Sequence, residues 1–254
     1  MGFDWSILAV ALPFVFVAGF VDSIAGGGGV ISITGFLLSG LPVYNVYGVN
    51  KVQAMTGTAV SAFNYIKNGY FNKKFIPFAL AGAIIGAFSG STMVTILGEN
   101  VLKMTLIAIL PAIAVIIMFN KQITSLVKPH KLTTKTIFAL STFIGLTVGF
   151  YDGFIGPGTG TFFIIAFTMC GMTMLEACGS AKIINLATNV ISTIIFLKSG
   201  FVIWWLAIPC IITNMAANQI GSRLAIKNGE KIIRPVLLVV MGLLAIYFIY
   251  DIIK

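Results

Sequence analysis

Apolar runs separated by short polar or basic joints follow one another along almost the whole chain. In the first half they span about residues 7–21, 30–38, 52–66, 75–97 and 101–119, and the second half repeats the series. Because about 20 apolar residues are needed to cross the hydrocarbon core as a helix, the longer runs predict transmembrane helices. The second and third runs are too short to cross comfortably, so we expect broken or re-entrant segments there.

The composition agrees with a protein embedded in lipid. Of the 254 residues, 58% are hydrophobic and 9% are charged, whereas charged residues make up about 25% of an average soluble domain. No stretch is polar enough to form a separate soluble catalytic domain. The sequence therefore predicts an all-α polytopic membrane protein with roughly eight to ten transmembrane segments.

The two halves of the chain resemble each other. The stretch from Gly19 through Asp22 to its glycine cluster returns in the second half from Gly149 through Asp152 to a second cluster. Glycines here break a helix, and the freed backbone groups must face protein, water or a ligand. The predicted helix breaks are Gly26, Gly27, Gly28, Gly29, Gly156 and Gly158.

Further matches follow in the same order and define the domain boundaries. Ordered pairs include Lys51 with Lys182, Ser61 with Ser192, Lys67 with Lys198 and Gly98 with Gly229. We therefore divide the chain into a first membrane repeat, 1–120, a basic linker, 121–135, and a second repeat, 136–254. A membrane protein built from two equivalent halves is usually a transporter.

Basic residues in the loops predict that the second repeat is inverted. Lysine and arginine concentrate in segments 67–74, 121–135 and 223–234, whereas the loops equivalent to the first and last of these hold only Lys198 and Lys103. Short cytoplasmic loops collect basic residues, so we expect two inverted repeats in the cytoplasmic membrane, with both termini outside. The net charge of +9 does not indicate nucleic acid, because no dense basic block is present.

Lys51 and Lys182 are the strongest candidates for binding a ligand. Each directly precedes an apolar run, so its ammonium is expected at a helix N-terminus, where free N–H groups and the helix dipole attract an anion. Polar residues beside each lysine would supply hydrogen bonds. The predicted substrate-binding residues are Lys51, Lys182, Asn50, Gln53, Thr58, Asn185 and Asn189. Alternatively, the lysines extend to the headgroups and the polar stripe only joins helices.

Asp22 and Asp152 lie near the end of the first helix of each half. An ionisable group at membrane depth costs about 2.5 to 3.5 kcal/mol on insertion scales. The pair therefore indicates a proton or cation role, or a salt bridge to one of the lysines. The alternative is that each aspartate caps its glycine turn near the interface.

Two other groups of residues are weaker candidates for a functional site. Asn214, Asn218, Gln219 and Arg223 form a polar face that is matched in the first half by Gly82, Gly86, Ala87 and Ser91, small residues which we interpret as helix-packing contacts. His130 and the three cysteines, Cys170, Cys178 and Cys210, lack the spacing of a metal site. The sequence predicts no metal and no cofactor.

Three motifs resemble the sulfite exporter family of the TauE/SafE type, also called the toluene sulfonate uptake permease (TSUP) family. They are GFVDSIAGGGGVISI, GVNKVQ around Lys51, and GFYDGFIGPGTG. The resemblance covers nearly the whole chain and implies an inner-membrane carrier for small sulfur-containing anions such as sulfite, sulfoacetate or related sulfonates, often in the export direction. Asn50 and Gln53 correspond to Ala181 and Ile184 in the second half, so the expected site is asymmetric.

Together these features predict a secondary transporter, not an enzyme, that holds a small oxyanion between its repeats and works by alternating access. The expected partners are a small anionic substrate and the lipid bilayer, and homodimer formation is left open. A passive anion channel is an alternative, because glycine breaks suit a pore. A further alternative is an intramembrane aspartyl protease built on Asp22 and Asp152.

Overall fold

The computed structural model describes residues 4–106, 133–229, 231–232 and 235, which form helices and turns without a strand. The first half contains α1 (Trp5–Ala25), α2 (Gly28–Leu38), α3 (Val43–Lys67) and α4 (Ile76–Ile96), and the second half contains α5 (Thr134–Phe154), α6 (Thr159–Met169), α7 (Met174–Lys198) and α8 (Trp204–Asn228). Helices α1, α4, α5 and α7 are long and apolar enough to cross a bilayer. The prediction of an all-α polytopic membrane protein is confirmed.

Some predicted segments lie outside the described residues. They are most of the linker 121–135, the end of the run 101–119, and the last apolar run of the chain. Helix α5 begins at Thr134, inside the predicted linker, because the Thr133 side chain accepts a hydrogen bond from the Thr136 backbone N–H and caps the helix.

Helix α1 begins at a capping aspartate and ends at a glycine. The Asp4 carboxylate accepts hydrogen bonds from the Ser6 hydroxyl and the Ser6 backbone N–H, both at 2.8 Å. These two bonds hold the pKa of the Asp4 carboxyl below its usual value. At the other end, Gly26 (φ 73°) and Gly27 (φ 83°) adopt backbone conformations that favour glycine, and the chain turns.

After this turn, α2 runs back along α1. A Cβ on Gly28 would lie 2.1 Å from the Ala18 carbonyl oxygen, and one on Gly35 would lie 2.4 Å from the Phe14 Cβ. The later residue of α2 thus contacts the earlier residue of α1. The two helices therefore form an antiparallel hairpin. The second apolar run thus forms a short helix that packs back on α1, and the third run belongs to a helix of 25 residues.

The glycine clusters are only partly helix breaks. Gly26 and Gly27 form the turn, but Gly28 and Gly29 already belong to the first turn of α2. In the second half, Gly156 (φ 89°) and Gly158 (φ 83°) break the chain at the corresponding place before α6. The prediction was therefore wrong for Gly28 and Gly29. The small size of Gly28 instead permits the close contact with α1, whereas Gly29 faces Gly156 and Pro157 of the other half.

Helix α3 is longer than the apolar run 52–66 predicted. It comprises 25 residues from Val43 to Lys67, enough for about 37 Å at 1.5 Å per residue. The polar residues at its start, Asn50, Lys51 and Gln53, are buried, so they face protein and do not end the helix. Helix α7 has the same length.

Equivalent helices α3 and α7 pack against each other in opposite directions. A Cβ on Gly48, near the start of α3, would lie 2.4 Å from the carbonyl oxygen of Phe201, which follows the end of α7. Reciprocally, a Cβ on Gly179 would lie 1.7 Å from the carbonyl oxygen of Tyr70, which follows the end of α3. The start of each helix therefore contacts the end of the other, and α3 and α7 are antiparallel.

Helices α4 and α5 approach each other through small residues. A Cβ on Gly82, Gly86 or Gly90 would lie 2.2 to 2.4 Å from a carbonyl oxygen of α5. Such spacing of glycines lets the backbones of membrane helices meet. The interpretation of Gly82 and Gly86 as helix-packing contacts is confirmed.

The packing also fixes which residues of α4 and α8 are equivalent. A Cβ on Gly149 of α5 would lie 2.7 Å from the Ala83 carbonyl oxygen, and one on the equivalent Gly19 of α1 would lie 3.1 Å from the Asn214 carbonyl oxygen. Ala83 thus corresponds to Asn214. The sequence match of Asn214 with Gly82 was displaced by one residue.

Candidate functional site

Two lysine–aspartate ion pairs join the halves of the protein. Lys51 Nζ lies 2.8 Å from Asp152 Oδ1, and Lys182 Nζ lies 2.6 Å from Asp22 Oδ2. Each pair connects the third helix of one half to the first helix of the other. The pairs are therefore reciprocal, and they confirm the predicted salt bridge between the aspartates and the lysines.

Both lysines are buried within the protein. Lys51 is 2% exposed and Lys182 is 0% exposed. An ammonium at such a position needs a charged or hydrogen-bonding partner, because burial without one is costly. The alternative in which the lysines extend to the lipid headgroups is therefore wrong.

The predicted location of the lysines at helix N-termini is also wrong. Helix α3 begins at Val43 and α7 begins at Met174, which places Lys51 and Lys182 about two turns inside their helices. The polar residues before each lysine are helical because they face other helices. The loops expected at 40–50 and 171–181 are mostly the first turns of α3 and α7.

A small cavity of about 30 Å³ lies between the halves, with room for one or two water molecules. Its charged lining residues are Lys51, Asp152 and Asp22, and its carboxamides are Asn50, Gln53, Asn185, Asn189 and Asn214. Both halves contribute to this lining. The cavity therefore brings together most of the predicted site residues.

Three predicted residues do not border the cavity. Lys182 lies behind Asp22, to which it donates. Thr58 is buried within α3, and Gly26 lies against the backbone of Thr161 in α6. Lys182 therefore influences the cavity only through its ion pair with Asp22, whereas Thr58 and Gly26 pack against neighbouring parts of the protein.

Asparagines surround the Lys51–Asp152 pair. Lys51 Nζ also donates to Asn189 Oδ1 at 3.1 Å, and Asn185 Nδ2 donates to Asp152 Oδ2 at 3.2 Å. Asn189 Nδ2 donates in turn to Asn185 Oδ1 at 3.4 Å. The four side chains form a closed ring of hydrogen bonds, which holds the charges in place.

The Lys182–Asp22 pair has fewer partners. Within the described ranges, Lys182 is the only donor to the Asp22 carboxylate. The Asp22 side chain is 20% exposed, against 2% for Asp152. Asp22 accepts the Gly26 backbone N–H through its main-chain oxygen, 2.9 Å away, so its carboxylate does not cap the glycine turn.

A chain of polar side chains leads from α2 through α3 to α8. Ser32 Oγ and Gln53 Nε2 donate to Asn50 Oδ1 at 2.6 and 3.0 Å. Asn214 Nδ2 donates to Gln53 Oε1, and Asn218 Nδ2 donates to Asn214 Oδ1 at 2.6 Å. We refer to Ser32, Asn50, Gln53, Asn214 and Asn218 as the polar cluster.

Sequence reasoning missed Ser32 and Asn214 as members of the site. Both residues border the cavity. The available signal was the spacing of Asn214 and Asn218, one helical turn apart on an apolar helix. It was discounted because the matching residues of the first half are small and were interpreted as helix-packing contacts.

The N-termini of two short helices face the cavity from opposite halves. Gly28 and Gly29 of α2 and Thr159 and Gly160 of α6 all border it. Neither helix has a side-chain cap. The Thr159 N–H donates to the Gly156 carbonyl oxygen at 3.3 Å, whereas the N–H groups of Gly28, Gly29 and Gly160 have no acceptor among the described residues and are available to a ligand. The attraction for an anion that was expected from the lysine helices thus comes from α2 and α6.

Asp22 and Asp152 are each hydrogen-bonded to an ammonium and not to each other. An aspartyl protease, by contrast, needs two carboxylates close enough to share one proton. In the part of the chain that the structure describes, no group of three or more His, Cys, Asp or Glu side chains could hold a metal ion.

Comparison with known proteins identifies the family. The family model described as Sulfite exporter TauE/SafE matches residues 11–248. The chain is 38% identical over 247 residues to "Probable membrane transporter protein ORF9" of Sinorhizobium sp, covering 96% of this chain and 93% of the relative. It is 30% identical to "Probable membrane transporter protein YfcA" of Escherichia coli K12, covering 96% and 90%.

A further relative from Haemophilus influenzae, also named a probable membrane transporter protein, is 28% identical and covers 96% of this chain and 95% of its own length. No solved structure matches the chain. The family match extends over nearly all of the sequence, including both glycine breaks and both ion pairs. The protein is therefore a membrane transporter that belongs to the sulfite exporter TauE/SafE family.

Proposed function

We propose that this protein is a secondary transporter that carries a small sulfur-containing oxyanion, such as sulfite, across the cytoplasmic membrane. The observation that carries the proposal is the pair of reciprocal ion pairs, Lys51–Asp152 and Lys182–Asp22, at a small polar cavity between the halves. Such a site at a repeat interface is typical of secondary transporters.

The cavity offers donors that suit an oxyanion. The Lys51 ammonium, several carboxamide groups and the N-termini of α2 and α6 border the same small space. Sulfite and related anions present negatively charged oxygens that accept hydrogen bonds from these groups. The small volume favours an inorganic oxyanion over a longer organosulfonate, which requires a wider cavity.

Anion binding competes with an existing ion pair. In the present arrangement Asp152 holds Lys51, and leaving either charge buried and unpaired costs about 3 to 5 kcal/mol. An entering anion therefore competes with Asp152 for the Lys51 ammonium, which still has one proton without an acceptor among the described residues. This competition links substrate binding to contacts that cross between the halves.

Alternating access is the transport mechanism expected of two inverted halves. We place them as inverted repeats, a proposal supported by the antiparallel packing of α3 against α7 and by the swapped loop charges. Rocking of one half against the other opens the cavity first to one side and then to the other. The description of the matching family favours export.

Charge balance points to a proton as the coupling ion. Two ammonium groups and two carboxylates sum to zero, so a bound anion brings an uncompensated negative charge into a medium of low dielectric. For a monovalent anion such as hydrogensulfite, one proton on Asp22 or Asp152 restores neutrality. Asp22 is the better placed of the two, because its side chain is partly exposed and has a single described donor.

Transport of radiolabelled sulfite into proteoliposomes tests the proposal. The wild-type protein is expected to show saturable uptake and counterflow, whereas Lys51→Ala and Lys182→Ala are expected to lose most of it. Lys198→Ala is the matched control, because this exposed lysine ends α7. Undiminished transport in both site variants refutes the proposed site, and flux that neither saturates nor shows counterflow indicates a channel.

A further inference from the structure

The two ion pairs lie in different chemical surroundings. The polar cluster near Lys51 consists of Ser32, Asn50, Gln53, Asn214 and Asn218, and the equivalent positions of the other half hold Phe163, Ala181, Ile184, Ala83 and Ala87. Every polar member therefore has an apolar counterpart. The halves are alike in backbone and charge but not in their hydrogen-bonding side chains.

Asn50 has a donor available at the cavity. Its Oδ1 already accepts from Ser32 and Gln53, which fixes the orientation of the carboxamide. Its Nδ2 has no acceptor among the described residues, although Asn50 is 5% exposed and borders the cavity. Lys51 Nζ uses two of its three protons, on Asp152 and Asn189.

The helix N-termini at the cavity also differ. A Cβ on Gly160 of α6 would lie 3.6 Å from Asp22 Oδ1, so the Asp22 carboxylate lies beside the N-terminus of α6. The equivalent position on Gly29 of α2 has Pro157 and Gly156 as its nearest neighbours, from 3.4 Å. The N-terminus of α2 thus retains a place for an external anion.

We propose that the transported oxyanion binds on one side of the cavity only, at the N-terminus of α2, between Asn50 Nδ2 and Lys51 Nζ. Asp22 takes the equivalent place in the other half as a built-in anion. Gln53 and Asn214 are positioning residues that hold the carboxamide of Asn50. This assignment rests on the proposed function and adds the location and number of anion sites.

The chain supplies its own conservative substitutions for a test. Asn50→Ala and Asn214→Ala each introduce the residue that stands at the equivalent position, Ala181 or Ala83. Equilibrium binding of radiolabelled sulfite to the purified protein is measured for each variant. Loss of a hydrogen bond to a charged ligand predicts affinity weakened about tenfold or more for Asn50→Ala.

A matched control comes from the same helix. Asn64 is a buried asparagine of α3 whose Nδ2 donates to Ser222 Oγ at 2.8 Å, away from the cavity. Asn64→Ala is expected to bind sulfite within about twofold of the wild-type affinity, since sites without shared partners act independently. Thermal unfolding and size-exclusion profiles show whether each variant is folded.

The positioning role of Asn214 is tested by the sulfite affinity of a double variant. Because Asn214 acts through Asn50, the double variant Asn50→Ala/Asn214→Ala is expected to bind no more weakly than Asn50→Ala alone. Additive losses overturn that role. A folded Asn50→Ala variant with wild-type affinity overturns the subsite while leaving the proposed function intact, and a wild-type protein that neither binds nor transports sulfite refutes both.

Discussion

Lys51 of α3 and Asp152 of α5 belong to different halves of the chain, and their charged atoms lie 2.8 Å apart in the buried centre of the protein. The pair is repeated by Lys182 and Asp22, with the roles of the halves exchanged. Relative movement of the halves therefore has to preserve or replace both pairs. This requirement connects stability, anion binding and transport at one set of residues.

Removal of one member of a pair is expected to destabilise the protein more than removal of both. Lys51→Ala leaves Asp152 charged and buried, at a cost of about 3 to 5 kcal/mol. Lys51→Ala/Asp152→Ala is expected to recover part of this loss. Unfolding in detergent by denaturant checks the prediction, and a double variant as unstable as the sum of the single variants contradicts it.

Asp22→Asn is expected to separate proton coupling from anion movement. A carboxamide cannot take up the proton that balances the anion, so uptake driven by a pH gradient should fall to background while exchange at equal pH persists. Both modes are measured with labelled sulfite in proteoliposomes. Asp4→Asn, at the exposed N-cap of α1, serves as control, and gradient-driven uptake by Asp22→Asn would exclude Asp22 as the proton site.

Gly57→Ala is expected to disturb the polar cluster. The added Cβ would lie 1.6 Å from Asn214 Oδ1, so Asn214 has to move, at a cost of about 1 to 3 kcal/mol typical of overpacking. Sulfite transport should weaken with this change. Gly98→Ala has open space around its Cβ and should behave as wild type; equal behaviour of the two variants would argue against the role of Asn214.

A cross-link between the ends of α3 and α7 is expected to stop transport. The rings of Tyr44 and Phe201 have centroids 4.7 Å apart, so cysteines at these positions in a cysteine-free background are within reach of a short reducible thiol cross-linker. Rocking separates the halves at such a contact, and reduction should restore flux. Full transport by the cross-linked protein would favour a channel over a carrier.

The orientation predicted from loop charges can be tested with single cysteines. Ser6→Cys, at the start of α1, should react in intact cells with a maleimide that does not cross the membrane. Asn68→Cys, beside the basic segment 67–74, should react only after the cells are opened. Reaction of Asn68→Cys from outside would reverse the assigned topology.

Local patterns in the sequence located most of the chemically important residues. The glycine breaks, both lysines, both aspartates and the asparagines of α7 follow from apolar periodicity interrupted at matching places in the two halves. These signals depend on residues near one another in the chain. They failed at the start of α3, because buried polar residues were taken for a loop.

Contacts between distant segments decided how those residues act. The sequence could not tell that Lys51 reaches Asp152, that α2 folds back on α1, or that Asn214 meets Gln53. Each depends on which helices pack together. Asn214 and Asn218 were set aside because their counterparts in α4 are small residues, a comparison that carries no information about contacts with α3.

The sequence by itself determined a helical membrane protein of two similar halves, since the cost of exposing polar backbone to lipid admits few other structures for so apolar a chain. The tertiary structure alone decided that the charges cancel in pairs across the halves and that the N-termini of α2 and α6 border one cavity. Burial is the reason, because a charge in a medium of low dielectric is tolerated only beside a partner, and its partner lies far away in the chain.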